Sequence, residues 1–253
     1  MVENRMSLTT FVEGVIGAVA IGLTILLSPL LRPWYRRWGT TGDEARLLLP
    51  GDELVPHPKS EITLASTVNA PVEYVWPWFV QLGCQRAGWY SYDLLDNGGV
   101  RSARRILPEY QQLRIGDTVK AMPKGDFGFP VAVLEPGQAL SLAGTLNTRT
   151  GESAQPGDPN LDAYFSGDQT FYLQPVIGPA NRAASSVANS AGTRLIFRMR
   201  MDWNPSPLNT LAYSLFVEPI SFVMARKTLL NVKKRAEQLA MTKVEEKTVW
   251  SKS

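Results

Sequence analysis

The sequence predicts an α+β domain, in which an antiparallel sheet lies against a long C-terminal helix, behind one N-terminal transmembrane helix. Three features predict it: an uncharged apolar run near the N-terminus, several short segments that alternate apolar and polar residues, and a long helical pattern at the C-terminus. With 253 residues, 44% of them hydrophobic and 19% charged, the chain is long and apolar enough to bury a sizeable core.

The apolar run extends from Gly14 to Leu31 without a charge, and it reaches back to Phe11 if Glu13 lies among the lipid headgroups. At about 1.5 Å per residue, such a helix matches the roughly 30 Å hydrocarbon core of a bilayer. We interpret residues 11–31 as a membrane span rather than a cleaved signal peptide, because the start is not basic and no small-residue cleavage site follows. A long buried helix of a soluble protein is the alternative.

The residues after the run indicate its orientation. The segment 32–38 reads RPWYRRW, whose arginines and aromatic side chains suit the cytoplasmic interface of a membrane. We therefore expect a single-pass protein of the inner (plasma) membrane with a cytoplasmic C-terminal domain. Gly14, Ala18 and Gly22 recur at every fourth position and form a small-residue face that can pair two anchors in a homodimer, although ordinary transmembrane composition explains the same pattern.

The first elements of the domain follow a linker. Residues 39–60 mix turn residues with a short apolar patch and indicate an ordered linker, in which His57, between two prolines, faces solvent. Residues 61–69 alternate in polarity and predict a strand with one buried face. A helix is predicted over 71–83, and a shorter one begins near Ser91 and stops at an Asn-Gly-Gly turn.

The later part of the chain is rich in strands and then helical. Segments 147–168 and 177–192 are predicted loops because they are rich in turn residues. Residues 208–240 have a helical pattern, which Pro219 should kink or split. Further strands are predicted in the segments 117–122, 128–136, 138–145, 169–176 and 193–203.

The scarcity of two residue types narrows the chemistry. The chain has one cysteine, Cys84, and one histidine, His57, so an intrachain disulfide is excluded and a catalytic triad or a His/Cys zinc site is disfavoured. The net charge of +3 does not require a nucleic-acid partner, and no module of basic residues interleaved with exposed aromatics predicts one. No glycine-rich phosphate-binding motif is present. We expect no metal and no cofactor.

Four segments, VWPWFVQLG, RAGWYSYDLLDN, IGDTV and MARKTLLNVKKRAE, carry a family resemblance. Together they resemble the SRPBCC superfamily of START-like and polyketide cyclase type proteins. The preceding WGTTGDEARLLLPGDELVPHP is similar to the segment before this domain in membrane-anchored bacterial members. The resemblance implies a helix-grip fold, with an antiparallel sheet of about seven strands wrapped around the long C-terminal helix and an internal hydrophobic pocket.

The resemblance covers roughly residues 38–240 and fits a division of the chain into four parts. Because the superfamily includes lipid-transfer domains, hormone receptors, cyclases and members without an assigned activity, the fold does not decide the function. The parts are an anchor with its juxtamembrane segment (1–38), a linker (39–60), a START-like domain (61–240) and a polar tail (241–253).

Candidate ligand-binding residues come from the aromatic segment and from the strands. Trp89 and Tyr90 follow a glycine and precede a turn, which suits the mouth of a pocket. The inward sides of two long strands supply large apolar residues, and methionine adapts well to apolar ligands. A collapsed core would use the same residue types. The strand residues are Phe171, Leu173, Leu195, Phe197, Met199 and Met201.

If the protein is an enzyme, Asp93 and Tyr90 are the candidate catalytic residues. A cyclase or dehydratase needs a general base near the substrate carbon and a donor for the developing enolate oxygen, and residues three apart on a helical turn lie side by side. Asp96 is a further ionisable candidate. The interpretation we favour has Asp93 cap a short helix. Arg198 and Arg200 fall on the outward side of their strand and are expected on a solvated face.

Three functions follow from these observations. The first, which we favour because no convergent set of polar residues is evident, is a membrane-anchored, non-catalytic binding protein for a hydrophobic small molecule or lipid. The second is a cyclase or dehydratase type enzyme acting on a membrane-soluble substrate. The third is a membrane-associated assembly protein that uses the small-residue face or the loops.

Overall fold

The structure is a computed structural model that describes residues 7–125, 127–154, 158, 161–177 and 191–250. It confirms the α+β class: an antiparallel sheet of seven strands wraps around the long C-terminal helix, which is the helix-grip architecture. The strand order is β1-β7-β6-β4-β3-β2, and β5 pairs with β4. The strands are β1 (Ser60–Val68), β2 (Thr118–Lys120), β3 (Gly128–Glu135), β4 (Ala139–Asn147), β5 (Ser153–Ala154), β6 (Tyr164–Ile177) and β7 (Ala191–Trp203).

The helices include the expected C-terminal one, in two parts. A π-helical turn, Tyr213–Val217, joins α5 to α6, so the interruption comes just before Pro219. Pro219 itself lies in the first turn of α6, directly after the π-helical turn, and it has no backbone N–H to donate to that turn. The helices are α1 (Leu8–Leu26), α2 (Ser28–Tyr35), α3 (Val72–Val80), α4 (Asp93–Asp96), α5 (Pro207–Ala212) and α6 (Glu218–Trp250).

One predicted loop contains strand. The segment 147–168 includes β5 and the beginning of β6, because residues from Tyr164 onward already pair with β4 and β7. Phe165, for example, lies opposite Leu146 on one side and Trp203 on the other. The turn residues indicated a loop, but the ladder of backbone hydrogen bonds determines the structure. Most of the other predicted loop, 177–192, lies outside the described residues.

The inner face of the sheet carries the core. Phe171 of β6 packs between Phe79 of α3 and Phe197 of β7, with ring centroids 4.7 Å and 5.1 Å away. Helix α6 closes the core with residues such as Leu229 and Val232, both fully buried. The alternating pattern of β7 was therefore interpreted correctly for its inward side.

The expectation that Arg198 lies on a solvated face is wrong. The segment 39–58 covers the outer face of the sheet, and Arg198 is only 2% exposed beneath it. Its guanidinium donates to Asp52 Oδ2 at 2.6 Å, to Thr63 Oγ1 at 3.2 Å and to the carbonyl of Leu47 at 2.6 Å. Local alternation indicates which side of a strand a residue occupies, but it does not show which segment covers that side.

Arg200 is also covered rather than solvated. It donates to the carbonyl of Asp52 at 2.6 Å, and its Nη1 lies 3.5 Å from the Asp52 carboxylate. Beside these ion pairs, Leu49 packs on Ala65 and Ile196 in a small apolar cluster on the same face. The segment expected to be a linker is therefore an integral part of the fold.

The N-terminal apolar run is not one helix over 11–31. Helix α1 ends at Leu26, and α2 begins at Ser28 with a proline in its first turn. The break agrees with Pro29, which lacks an N–H and cannot continue the helix of the preceding turn. By length and composition α1 can cross a membrane, as can the segment Pro207–Glu246, part of which lines the core.

One side of α1 lies against the domain. A side-chain carbon added to Gly14 would meet Leu94 Cδ2 at 2.4 Å, and one added to Gly17 would meet the ring of Tyr92 at 2.7 Å. Glycine thus permits this close approach. The opposite side exposes a continuous apolar stripe that runs into α2: Leu8, Phe11, Val12, Val15, Ile16, Val19, Leu23, Leu26, Leu27, Leu30 and Trp34.

A buried carboxylate attaches α2 to α6. Glu218 is 0% exposed and accepts two hydrogen bonds of 3.0 Å from the Arg32 guanidinium. It also accepts from the hydroxyl of Tyr35 at 3.0 Å and from that of Ser60 at 2.7 Å. Removing one partner from such a site leaves a charge buried without compensation, so the cluster fixes α2 on the domain.

Candidate functional site

A cavity of about 330 Å³, open to the surface, lies between the inner face of the sheet and α6. Its walls are mostly apolar, with aromatic rings from the sheet and aliphatic side chains from the helix. This composition suits a small apolar molecule, because ligand pockets are mostly lined by hydrophobic and aromatic residues with a few polar groups. The lining residues are Trp89, Ser91, Asp96, Ala121, Phe129, Gln169, Phe171, Phe197, Met199, Ile220, Ser221, Met224, Ala225 and Thr228.

The cavity wall is assembled from three regions. Strands β6 and β7 supply the floor, since Phe171 and Phe197 project from the inner face of the sheet. The segment between α3 and α4 contributes Trp89, whose ring meets Phe129 edge-on with centroids 6.5 Å apart. Helix α6 provides the other wall over residues 220–228, and Ile220 is 38% exposed, so the cavity reaches the surface there.

Asp96 places a carboxyl group in this apolar wall. Its Oδ1 is buried and has no hydrogen-bond partner among the described residues. Burial and, to a smaller extent, the negative charge of Asp93 together raise the pKa of Asp96 to about 7, although a hydrogen bond with Ser91 partly offsets them. Near neutral pH the carboxyl group therefore exists in both protonation states.

Trp89 is the other residue of the cavity wall that has a buried polar side-chain atom, its indole Nε1. Its Nε1 is buried and forms no hydrogen bond of normal geometry within the described part of the chain. It does interact with the thiol of Cys84, whose pKa it lowers against the larger effect of burial, but sulfur is a weak acceptor. Of these two residues of the cavity wall, only Asp96 retains a buried side-chain oxygen without a partner among the described residues.

The structure brings only some of the predicted ligand-binding residues to the cavity. Trp89, Phe171, Phe197 and Met199 line it. The other candidates are buried in the surrounding core, where they support the wall without lining it: Tyr90, Leu173, Leu195 and Met201.

Tyr90 and Asp93 do not line the cavity. The Tyr90 hydroxyl is fully buried and bonded to Gln81 Nε2 at 2.6 Å, and its backbone has a positive φ of 57°. Asp93 accepts from the backbone N–H of Ser102 at 3.0 Å and also from its hydroxyl. Both residues border a separate polar cleft of about 490 Å³ at the N-terminal end of α1.

Residues 220–228 of α6 were missed as lining residues. The only available signal was the periodicity of the C-terminal helix, which shows one apolar face but not where that face leaves a gap. Asp96 was considered only as one ionisable residue among several. Its position three residues after Asp93 on a single helical turn gives no indication of which carboxyl faces the sheet.

Another carboxyl group with a raised pKa, that of Asp168, lies on the outer face of the sheet. Burial outweighs the hydrogen bonds from Ser141 and Thr170, which lower the pKa of Asp168, and the net result is a pKa raised to about 7. Thr170 Oγ1 donates at 2.9 Å. Because these hydroxyls satisfy the carboxyl group, Asp168 has a structural role.

The described part of the chain contains no group of three or more His, Cys, Asp or Glu side chains placed to hold a metal ion. Cys84 is buried, and its thiol donates to the carbonyl of Asp96 at 3.1 Å. It therefore helps to position the segment that carries the cavity carboxyl.

Fold and cavity together define a helix-grip protein with a largely apolar cavity that opens at the surface. No protein-family model matches the chain, and no curated protein matches its sequence. Among solved structures, protein MLL2253 from Mesorhizobium loti is 13% identical with a TM-score of 0.36, covering 71% of this chain and 98% of that one. CalU16 from Micromonospora echinospora is 12% identical with a TM-score of 0.29, covering 72% and 86% of the two chains. At these scores the argument for function depends on the cavity itself.

Proposed function

We propose that the protein binds a small hydrophobic molecule in the cavity between the sheet and α6, without catalysing a reaction. The observation that carries this proposal is the cavity of about 330 Å³, which remains open within an otherwise close-packed core. Its volume lies at the lower end of the range for ligand pockets, roughly 300–1,000 Å³. This favours a compact molecule over a two-chain lipid, which would have to leave most of its length outside.

The family proposed for the chain remains the SRPBCC superfamily. The strand order, with β1 beside β7 and a long C-terminal helix across the inner face, supports this proposal. The cavity lies between the sheet and the C-terminal helix, where the resemblance implies a hydrophobic pocket. The function is argued from the site, because related folds serve many functions.

A cyclase or dehydratase type reaction is the second candidate function. It is favoured by one observation: the cavity contains a carboxyl group, Asp96, whose pKa of about 7 suits a general acid or base near neutral pH. The pair considered from the sequence is less suitable, because Tyr90 and Asp93 are engaged with Gln81 and Ser102.

We also propose that α1 holds the protein at the inner membrane with its domain in the cytoplasm. The exposed apolar stripe of α1 and the arginines that follow it support this location. A spanning α1 must leave Leu94 and Tyr92, because a helix cannot cross the bilayer while its first turns stay on a cytoplasmic domain. A membrane-impermeant maleimide tests this: Ser7→Cys is labelled from outside sealed cells if α1 spans, and only after permeabilisation if α1 stays on the domain.

The assembly function, and the homodimer through Gly14, Ala18 and Gly22, stay predictions. In this structure Gly14 faces Leu94, while Ala18 and Gly22 are exposed. Pairing through all three residues would therefore also require α1 to leave the domain. Co-purification of a stoichiometric partner with an empty cavity would favour assembly over ligand binding.

The first experiment on the binding function is native mass spectrometry of detergent-released protein, with extraction and identification of bound molecules. We expect one enriched small apolar species in the wild type. Ala225→Phe fills the cavity and should abolish this adduct, whereas Ala212→Phe makes the same change on α5 outside the lining and should retain it. An adduct unaffected by Ala225→Phe would contradict the proposal.

A further inference from the structure

A groove of about 540 Å³ between α2 and strand β1 is lined by three arginines. Arg32, Arg36 and Arg37 come from α2 and the turn after it, whereas Glu61 and Thr63 belong to β1. The groove is separate from the cavity beneath α6, because the two share no lining residue. The binding function proposed for the cavity therefore gives these arginines no role.

One carboxylate is shared by two of the three arginines. Glu218 Oε1 accepts a hydrogen bond from Arg32 Nε at 3.0 Å and lies 3.8 Å from Arg36 Nε. Because both nitrogen atoms approach the same oxygen, the two guanidinium groups are neighbours. Arg37 is exposed and forms no ion pair within the described part of the chain. Three positive charges thus meet one carboxylate.

The other acidic residue of the groove, Glu61, does not cancel the excess of positive charge. Its carboxylate lies 3.3 Å from Arg200, and Asp52 lies 2.6 Å from Arg198, so these four residues balance one another. Arg36 Nε donates to the backbone carbonyl of Glu61 at 2.9 Å rather than to its carboxylate. The groove therefore attracts an anion.

Part of each guanidinium remains available to such an anion. Arg36 Nη1 and Nη2 form no hydrogen bond with the described residues, and neither is a buried atom. The same is true of Arg32 Nη1, and the side chains of Arg32 and Arg36 are 37% and 32% exposed. A guanidinium that is fixed by its own partners and open on its outer edge suits a phosphate, whose oxygen atoms accept two parallel N–H bonds.

The side of α2 next to the groove is apolar and exposed. Leu27, Leu30 and Trp34 are 40%, 79% and 54% exposed, and they continue the apolar stripe of α1. Pro29 and Pro33, each one position before an exposed residue of this stripe, line the groove. At 3.6 residues per turn, the basic groove and the apolar stripe therefore run side by side along the helix.

We infer that the groove binds the phosphate group of an anionic phospholipid, whose acyl chains lie along the exposed apolar side of α2. The arginines match the headgroup and the stripe matches the chains, whereas a free phosphate ion would use the arginines alone. A zwitterionic lipid is disfavoured, because the cation of its headgroup would meet the excess positive charge. The inference goes beyond the cavity, and it rests on the proposed membrane location only for the supply of lipid.

The test is native mass spectrometry of the full chain in a non-ionic detergent, titrated with dioleoyl phosphatidylglycerol or dioleoyl phosphatidylcholine. An arginine near an anionic lipid contributes about five-fold in affinity, so two uncompensated arginines should give phosphatidylglycerol a preference of about 25-fold. Arg37→Gln should reduce the preference to about five-fold, and Arg36→Gln/Arg37→Gln should nearly abolish it. Equal binding of the two lipids by the wild type would overturn the inference.

A matched variant controls for the loss of charge. Arg114→Gln/Arg149→Gln removes two exposed arginines that do not line the groove, and it should retain the preference for phosphatidylglycerol. An equal loss of preference in this variant would show a general charge effect and contradict the groove. Arg36 also contacts β1, so Arg37→Gln, which changes an exposed side chain without an ion pair, tests lipid binding without disturbing the fold. Thermal unfolding of each variant verifies this.

Two further measurements separate this site from its alternatives. A large excess of inorganic phosphate should leave the phosphatidylglycerol adduct in place, and displacement would identify a site for free phosphate instead of lipid. Ala225→Phe, which fills the cavity, should not change the lipid preference. A preference lost in Ala225→Phe and kept in Arg36→Gln/Arg37→Gln would place the lipid in the cavity and overturn the groove. Because lipid is supplied in detergent, failure here is distinct from failure of the membrane location, which Ser7→Cys labelling tests.

Discussion

On the outer face of the sheet, Asp168 accepts hydrogen bonds from Ser141 and Thr170, whereas Asp96, beside the inner face, has one oxygen without a partner in the described part of the chain. Burial raises the pKa of both carboxyl groups to about 7. A pKa raised by burial thus occurs both in a carboxyl group with hydrogen-bond partners and in one that lacks a partner for one oxygen. A raised pKa alone does not identify a functional site, and the hydrogen-bond partners of the group must be counted.

The outer face shows how the fold satisfies polar groups when no ligand is involved. Arg198 has three kinds of partner there: a carboxylate, a hydroxyl and backbone carbonyls. The inner face is covered mainly by close-packed apolar side chains, except where the cavity lies between the sheet and α6. The comparison leads to four predictions, in order of decreasing effect.

The largest effect is expected from Asp52→Ala, which removes the carboxylate from the buried Arg198. The unfolding free energy should fall by about 3–5 kcal/mol, because the guanidinium then stays buried without a countercharge. Urea unfolding of the detergent-solubilised chain measures it. The double variant Asp52→Ala/Arg198→Met should recover much of the loss, and a single variant as stable as the wild type would contradict the structural role of the pair.

Replacing each carboxyl group of raised pKa, Asp96 and Asp168, by leucine should change the free energy of unfolding in opposite directions. Asp168→Leu strands the hydroxyls of Ser141 and Thr170 and should destabilise the protein by about 1–3 kcal/mol. Asp96→Leu removes an unsatisfied group and fills apolar space, so it should stabilise the ligand-free protein at pH 8. Thermal unfolding of both variants in parallel measures the signs, and equal signs would break the comparison.

The pH dependence of stability should follow both carboxyl groups. Their folded pKa of about 7 lies above the value of about 3.9 in an unfolded chain, so the folded state holds protons that the unfolded state has released. This contribution to stability is fully present below about pH 4 and is lost as the pH rises to 7. Between pH 5.5 and 7.5 the wild type should lose about 1–2 kcal/mol more than Asp96→Asn, measured by urea unfolding; parallel pH profiles would exclude the raised pKa.

The smallest effect is expected at the rim of the outer face. Glu61 lies 3.3 Å from Arg200, and its side chain is 33% exposed. Glu61→Ala should therefore cost less than about 1 kcal/mol, as exposed ion pairs usually do. Raising the salt concentration to 1 M should reduce the difference further, and a loss as large as that of Asp52→Ala would show that the rim is coupled to the buried pair.

Much of the fold was predictable because alternation and helical periodicity report which side of an element is apolar. Leu195, Phe197, Met199 and Met201 face inward as their spacing predicts. The covered state of Arg198 was not predictable, because the segment that covers it contacts it over a sequence separation of 146 residues.

The site was less predictable than the fold. Phe171 and Leu173 have the same alternation, yet only Phe171 lines the cavity, because lining depends on where α6 stands away from the sheet. Asp93 and Asp96 occupy one short helix, and only their different partners distinguish them. The packing of α6 decides the first outcome and the hydrogen bonds of Asp93 with Ser102 the second, and the apolar and polar pattern of the sequence contains neither.

The attachment of α2 to Glu218 has a thermodynamic consequence for the cavity. Glu218 and Ile220 lie within one turn of α6, so the carboxylate that holds Arg32 and Tyr35 is next to the residue where the cavity reaches the surface. If a bound molecule shifts this turn, it changes the affinity of α2 for the domain, and release of α2 changes the affinity for that molecule by the same factor. Occupancy of the cavity and the placement of the N-terminal helices would then be reciprocally linked.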